Sequence, residues 1–140
     1  MSEHQTNMII VGFIVRNDKI FVAKRAETKN IFPDRFELVG GHIDLGETPE
    51  QALIREVKEE IDLDVTIGAL VGAFTFYLDG EFKIELAYMC YPTDETEPTL
   101  NPADHSQSHW IARDELDKFE KENEETELLR QAFKMIKGEK

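Results

Sequence analysis

The sequence predicts an α/β fold, a mixed central sheet sandwiched between two helices. Three observations predict it. Residues 8–15 form a continuous apolar run of the length and β-branched character of a buried strand. A central segment repeats apolar residues at Leu53, Val57 and Ile61 between helix-start and helix-stop signals. The closing segment, residues 124–137, places Leu129, Ala132, Phe133 and Ile136 on one helical face, with an acidic start and Lys134 and Lys137 near its end, as the helix dipole favours. At 140 residues the chain suffices for one domain with a core and not for two.

The elements follow in order. Residues 1–7 are polar, read as a flexible tail, and lack the apolar centre of a signal peptide. After the first strand, Asn17 and Asp18 mark a turn, and residues 19–26 read as the returning strand. Residues 27–35 are a polar loop holding Pro33, and residues 36–39 a short strand feeding a glycine loop at Gly40 and Gly41. Residues 65–78 hold strand material broken by Gly68 and Gly72. Asp79-Gly80 is a hairpin signal, and residues 82–91 form the next strand, with Phe82, Ile84, Leu86, Tyr88 and Cys90 on one face. Residues 92–108 are a long polar loop, of a length that usually signals function. Residues 109–111 make a brief strand and residues 114–119 a short helix.

The central helix is specified locally. Thr48 is suited to the N-cap, Pro49 to the first turn, and Gln51 completes a capping box. Ala52 and Ile54 extend the apolar stripe, so the acidic face is expected to look away from the core. That face carries Glu56, Glu59 and Glu60 at i, i+3 and i+4, with Arg55 before them. Carboxylates so close repel unless a cation joins them, and hard divalent ions take oxygen ligands shared with substrate phosphates. Taken alone, three glutamates would read as a solvated helix face, and Arg55 as an i,i+4 partner of Glu59.

The whole segment, GHIDLGETPEQALIREVKEEIDL, resembles the Nudix box: Gly, five residues, Glu, seven residues, Arg-Glu, an aliphatic, any residue, Glu-Glu, any residue, Gly, an aliphatic. Gly41, Glu47, Arg55, Glu56, Val57, Glu59, Glu60 and Leu63 match in spacing. Asp62 stands where the family has Gly, so a helix end with positive φ and some strain is expected. The resemblance to the Nudix, or MutT-like, hydrolases implies a Nudix-type α/β/α sandwich over residues 1–140. It also implies hydrolysis of a phosphoanhydride bond in a nucleoside di- or triphosphate derivative by water attack on phosphorus. The implied cofactor is Mg²⁺, with Mn²⁺ as a substitute. The implied metal ligands are Glu56, Glu59, Glu60 and the carbonyl of Gly40, with Glu59 either ligand or general base. Arg55 would orient a metal-binding glutamate. Glu47 fits two roles, a hydrogen bond to loop backbone or a bearing on the metal site, and the first is the expectation. Gly40, Gly41 and His42 would lie against substrate phosphate, although His42 also fits an ordinary surface role.

In several branches of the family the base comes from a loop outside the box. Here that loop is Asp104-His105-Ser106-Gln107-Ser108-His109-Trp110, and Asp104 or His105 is the candidate. Trp110 reads as a packing residue. Phe13, Phe36, Phe74, Phe76, Tyr77 and Tyr88 would stack a nucleobase only if they face the cleft, and aromatics on strands are more often core.

Composition narrows the partners. The formal net charge of −13 gives no steering toward duplex nucleic acid or anionic membranes. A small nucleotide-type substrate remains compatible, because a bound metal supplies positive charge locally. The single cysteine, Cys90, allows no internal disulfide and reads as a buried inert thiol, in keeping with a cytoplasmic location. Two other readings fit parts of the sequence. A noncatalytic nucleotide-binding module of this type would be expected to lack a box carboxylate. An isopentenyl diphosphate isomerase-like enzyme, which LVGGHID also resembles, would need a cysteine in a strand ahead of the box. Small domains of the family often form homodimers, a property this sequence does not make legible.

Overall fold

The computed structural model describes residues 5–26, 36–118 and 124–136. β1 (Gln5–Arg16) and β2 (Lys19–Arg25) form a hairpin turned by Asn17 and Asp18, at φ 54° and 62°. Two left-handed residues in a two-residue turn match the twist of the flanking strands, and Asn and Asp tolerate that region. β3 (Phe36–Glu37) and β4 (Val39–Asp44) lead into α1 (Pro49–Ile61). β5 (Val65–Leu78) and β6 (Glu81–Pro92) make a long second hairpin on Asp79 and Gly80. β7 (His105–Ile111), a 3₁₀ turn (Arg113–Lys118) and α2 (Glu124–Ile136) complete the described chain.

The sheet is mixed. β1 runs parallel to β6 along one edge; along the other it pairs antiparallel with β4 and, near the turn, with β2. β2 also carries β3 and β7. On one face, Ile10, Ile14, Val39, Ile43 and Cys90 pack against Leu53, Val57 and Ile61 of α1. On the other, Val11, Phe13, Ala87 and Met89 pack against Leu129, Ala132 and Phe133 of α2. This is the expected α/β/α arrangement, and each fully buried aliphatic or Phe side chain contributes about 1.5–3 kcal/mol to it.

Several expectations are corrected. β1 begins at Gln5, inside the expected tail; residues 1–4 and the expected loop at 27–35 lie outside the described residues. β5 is one strand that absorbs Gly68 and Gly72 as shifts in its register with β6. Ile54 is 43% exposed and does not join the stripe. In β6 the more deeply buried face is not the aromatic one but Lys83, Glu85, Ala87 and Met89, two of them charged. Cross-strand neighbours, which local alternation does not report, decide which face is covered.

Candidate active site

Gly40 and Gly41 lie within β4 rather than in a loop, paired with Val11 and Ile10 of β1. Neither has positive φ, so glycine is required for closeness and not for turning. A Cβ on Gly40 would run into the carbonyl oxygen of Ile10. A Cβ on Gly41 would meet the carboxylate of Glu56, at 2.6 Å from its Cδ. The bare strand thus lets α1 press a carboxylate against the sheet.

The helix forms as its sequence requires. Thr48 accepts from the Gln51 amide at 3.1 Å, and the Gln51 side chain accepts from the Thr48 amide at 3.0 Å. Asp62 ends the helix at φ 54° and ψ 45°, the left-handed conformation expected where the family has glycine. Its side chain also meets Lys58 at 3.2 Å.

Arg55 organises the approach to the site. Its Nε and Nη2 donate to the two oxygens of Glu47 at 2.7 and 2.8 Å, a bidentate pair. Nη1 donates to Glu56 at 2.9 Å and to Glu59 at 3.3 Å, and Nη2 to the His42 carbonyl at 3.2 Å. Glu47 also accepts from the Asp44 amide at 2.9 Å, closing the turn before the helix. Glu47 therefore holds Arg55 and loop backbone. The Arg55 guanidinium pulls the Glu47 carboxyl below the usual carboxylate range.

Glu60 is not on a solvated face. It is 9% exposed, and Glu56 is largely covered beside it, whereas the Glu59 side chain is 58% exposed. Glu56 and Glu60 share a hydrogen bond. Burial, then the adjoining Glu56, then the charges of Glu37 and Asp104 push the Glu60 carboxyl up to about 10. Burial raises Glu56 as well, against the opposing pull of Glu60 and Arg55. Burial thus raises both carboxyls of the pair, Glu60 being the more deeply covered.

What buries Glu60 is the end of its own helix. The last carbonyls of α1 need donors. The Asn101 amide donates to Glu60 O at 3.1 Å and the Thr99 amide to Ile61 O at 2.8 Å. The chain then turns through Asn101, whose carbonyl accepts from the Asp104 and His105 amides at 2.9 and 3.0 Å, and enters β7. This capping loop brings Asp104 and His105 beside Glu60.

His105 corrects two expectations. It starts a strand instead of lying in the long loop, and it is 1% exposed. Its Nε2 bonds Glu37 Oε2 at 2.9 Å and lies 3.8 Å from Glu60 Oε1. A buried imidazole held in this way is not offered to a water as a base. His42 is corrected too. Strand alternation turns its side chain to the face opposite Gly41, where Nε2 meets Lys83 Nζ at 3.1 Å. Burial, then the Lys83 charge, lowers its pKa, and its side chain lies on the face of β4 opposite Glu56. Trp110 packs edge-on to Phe21 with ring centroids 5.2 Å apart. Cys90 is fully buried, its thiol pushed up to about 12 by burial.

Sequence reasoning missed Glu37 and Lys83. A lone Glu in a two-residue strand carries no local signal. Lys83 alternates with apolar residues as a solvent-facing side chain would.

The donor chemistry fits a hard divalent cation. Two covered carboxyls, both raised by burial, stand side by side with one guanidinium near them, and Arg55 and Gly41 fix Glu56. Among the described residues no group of three His, Cys, Asp or Glu side chains already surrounds an ion position.

Comparison with known proteins agrees with this architecture. The model of the NUDIX domain matches residues 6–132. A Nudix hydrolase of Nostoc sp. is 32% identical over 113 residues, 77% of this chain and 65% of that protein. The 8-oxo-dGTP diphosphatase of Escherichia coli is 43% identical over 56 residues, 39% of this chain and 43% of that one. The chain thus spans less than two thirds of either relative in these matches. The crystal structure of a MutT protein from Methanosarcina mazei superposes with a TM-score of 0.76 at 18% identity, covering 99% of this chain and 97% of that one, a likeness of fold. The chain belongs to the Nudix hydrolase family.

Proposed function

We propose that the protein is a divalent-metal-dependent hydrolase of a phosphoanhydride bond in a nucleoside di- or triphosphate derivative, with water attacking phosphorus. The observation that carries this reading is the covered Glu56–Glu60 pair, with Glu56 pinned between Arg55 and the bare strand at Gly41. Glu56 and Glu60 are the principal metal ligands, joined by Glu59 or the carbonyl of Gly40. Mg²⁺, or Mn²⁺ in its place, supplies neutralisation of phosphate oxygens and polarisation of the attacked phosphorus when bound.

The chain's own residues prepare the site. Arg55 fixes the Glu56 carboxylate, so little reorganisation remains when phosphate arrives. Asp104, beside Glu60 on the capping loop, is the proposed acceptor of the attacking water's proton. Glu59, exposed at the rim, is its alternative. The substrate is a small nucleotide-type molecule; neither duplex nucleic acid nor membrane is its partner. No helix among the described residues is long and apolar enough to cross a membrane. We place the protein in the cytoplasm on its single buried cysteine and its composition.

The test is a screen of the purified chain with Mg²⁺ against nucleoside triphosphates, oxidised nucleotides, nucleotide sugars, ADP-ribose and dinucleoside polyphosphates. Products are identified by mass, with Glu60→Gln as control. A preferred substrate, hydrolysed by the wild type and not by the variant, is expected. Silence across the panel at high protein concentration would turn the reading toward a noncatalytic nucleotide-binding module.

A further inference from the structure

The Glu60 carboxylate is backed by a chain of polar contacts from outside the box. Arg25, in β2, donates from Nη1 to Glu37 Oε1 at 3.1 Å and more weakly to Oε2 at 3.4 Å. Glu37, in β3, accepts from His105 Nε2 at 2.9 Å. His105, at the start of β7, sets that same nitrogen 3.8 Å from Glu60 Oε1. All three strands belong to one part of the sheet: β2 pairs Ala23 with Glu37 and Arg25 with His105. β3 and β7 thus flank the same strand, and the Glu37–His105 hydrogen bond spans it.

The burial gradient gives the direction of support. The Arg25 and Glu37 side chains are each about one quarter exposed, at 24% and 26%. His105 is 1% exposed, and the Glu60 side chain 11%. An imidazole this buried cannot reorient without breaking its one side-chain hydrogen bond, because its Nδ1 has no partner among the described residues. Its ring is tied by the Glu37 hydrogen bond, and its Nε2 edge lies 3.8 Å from Glu60 Oε1. A ligand held by one helix could swing through its rotamers; a ligand with an anchored wall behind it is kept toward Glu56.

We propose that Glu37 and His105 are positioning residues for Glu60. Arg25 holds Glu37, Glu37 holds the imidazole through a hydrogen bond to Nε2–H, and the imidazole keeps the Glu60 carboxylate turned to the cation position. The inference rests on Glu60 being a metal ligand, as proposed above.

The experiment separates position from charge and needs no substrate. Mn²⁺ binding to the full chain is titrated by the electron paramagnetic resonance signal of the free ion, with melting curves to verify folding. Glu37→Gln keeps the length and an acceptor oxygen but loses the charge. Glu37→Asp keeps the charge but is too short to reach the imidazole, and it perturbs the fold less than Glu37→Ala would. Glu37→Asp is expected to weaken Mn²⁺ binding about 10- to 100-fold, the range for residues that orient metal ligands. Glu37→Gln is expected to stay within about threefold of wild type on the same grounds. Wild-type binding in Glu37→Asp would overturn the proposal. So would a loss in Glu37→Gln larger than in Glu37→Asp, because Glu37 would then act by its charge. Glu60→Gln is the control: if it binds Mn²⁺ as the wild type does, the ligand assignment fails. If Glu60→Gln loses the ion while Glu37→Asp keeps it, the assignment stands and the positioning proposal alone falls.

Discussion

The carboxylate of Glu56 fills the space that a side chain on Gly41 would occupy: a Cβ there would stand 2.7 Å from each of its oxygens. The next residue back, Gly40, would instead strike the Ile10 carbonyl, which is fixed backbone. Two adjacent glycines are thus needed for different reasons. Gly41→Ala is expected to fold, because the end of a Glu side chain can move aside, but to displace Glu56 and weaken metal binding. Gly40→Ala is expected to lose about 1–3 kcal/mol or more, as overpacking against fixed atoms does. Melting curves beside Mn²⁺ titrations of both variants check the contrast.

Arg55 makes a planar two-bond contact with Glu47 while reaching Glu56 with a third nitrogen. A lysine has one nitrogen and cannot do both. Arg55→Lys is therefore expected to cost about 10- to 100-fold in activity, in spite of the kept charge. Once a substrate is in hand, kcat and KM for this variant decide it; near wild-type kcat would refute the role.

The Glu60 carboxyl, raised from 4.5 to about 10, has a consequence for stability. Between those values the folded state keeps a proton that the unfolded chain has released. The contribution is fully present below the unfolded value and is lost as pH rises toward about 10, so the metal-free protein weakens across that window. A cation replaces the proton and binds better as pH rises. The Mg²⁺-induced gain in Tm should thus be larger at about pH 9 than at about pH 6. In Glu60→Gln this difference should shrink. An Mg²⁺ effect independent of pH would contradict the raised Glu60 carboxyl.

Lys83 is 5% exposed and touches His42. Its charge lowers the His42 pKa, after burial as the larger cause. Lys83→Met should raise that pKa, since Glu81 and Asp44 would then act with less opposition. A titration of the His42 ring protons by NMR reads the shift directly.

The helix and its chemistry were legible because they are local. Thr48, Pro49 and Gln51 cap a helix wherever it lies, and i, i+3, i+4 spacing sets Glu56, Glu59 and Glu60 together whatever surrounds them. The left-handed end at Asp62 was legible for the same reason. Both hairpin turns were too, since Asn17-Asp18 and Asp79-Gly80 carry their own backbone preferences.

The depth of Glu60 was not legible. It depends on amides of Thr99 and Asn101, about forty residues on, satisfying the last carbonyls of α1. The same loop delivers Asp104 and His105, and β2, which pairs with both β3 and β7, brings Glu37 and His105 within hydrogen-bond reach. The sequence by itself determined a capped acidic helix, its arginine and the family they mark. The tertiary structure decided which glutamate is buried, that Gly40 and Gly41 are places of close approach, and that His42 faces away while Glu37 faces in. Local spacing and turn chemistry act over a few residues, whereas burial and cross-strand contact arise only when distant segments meet.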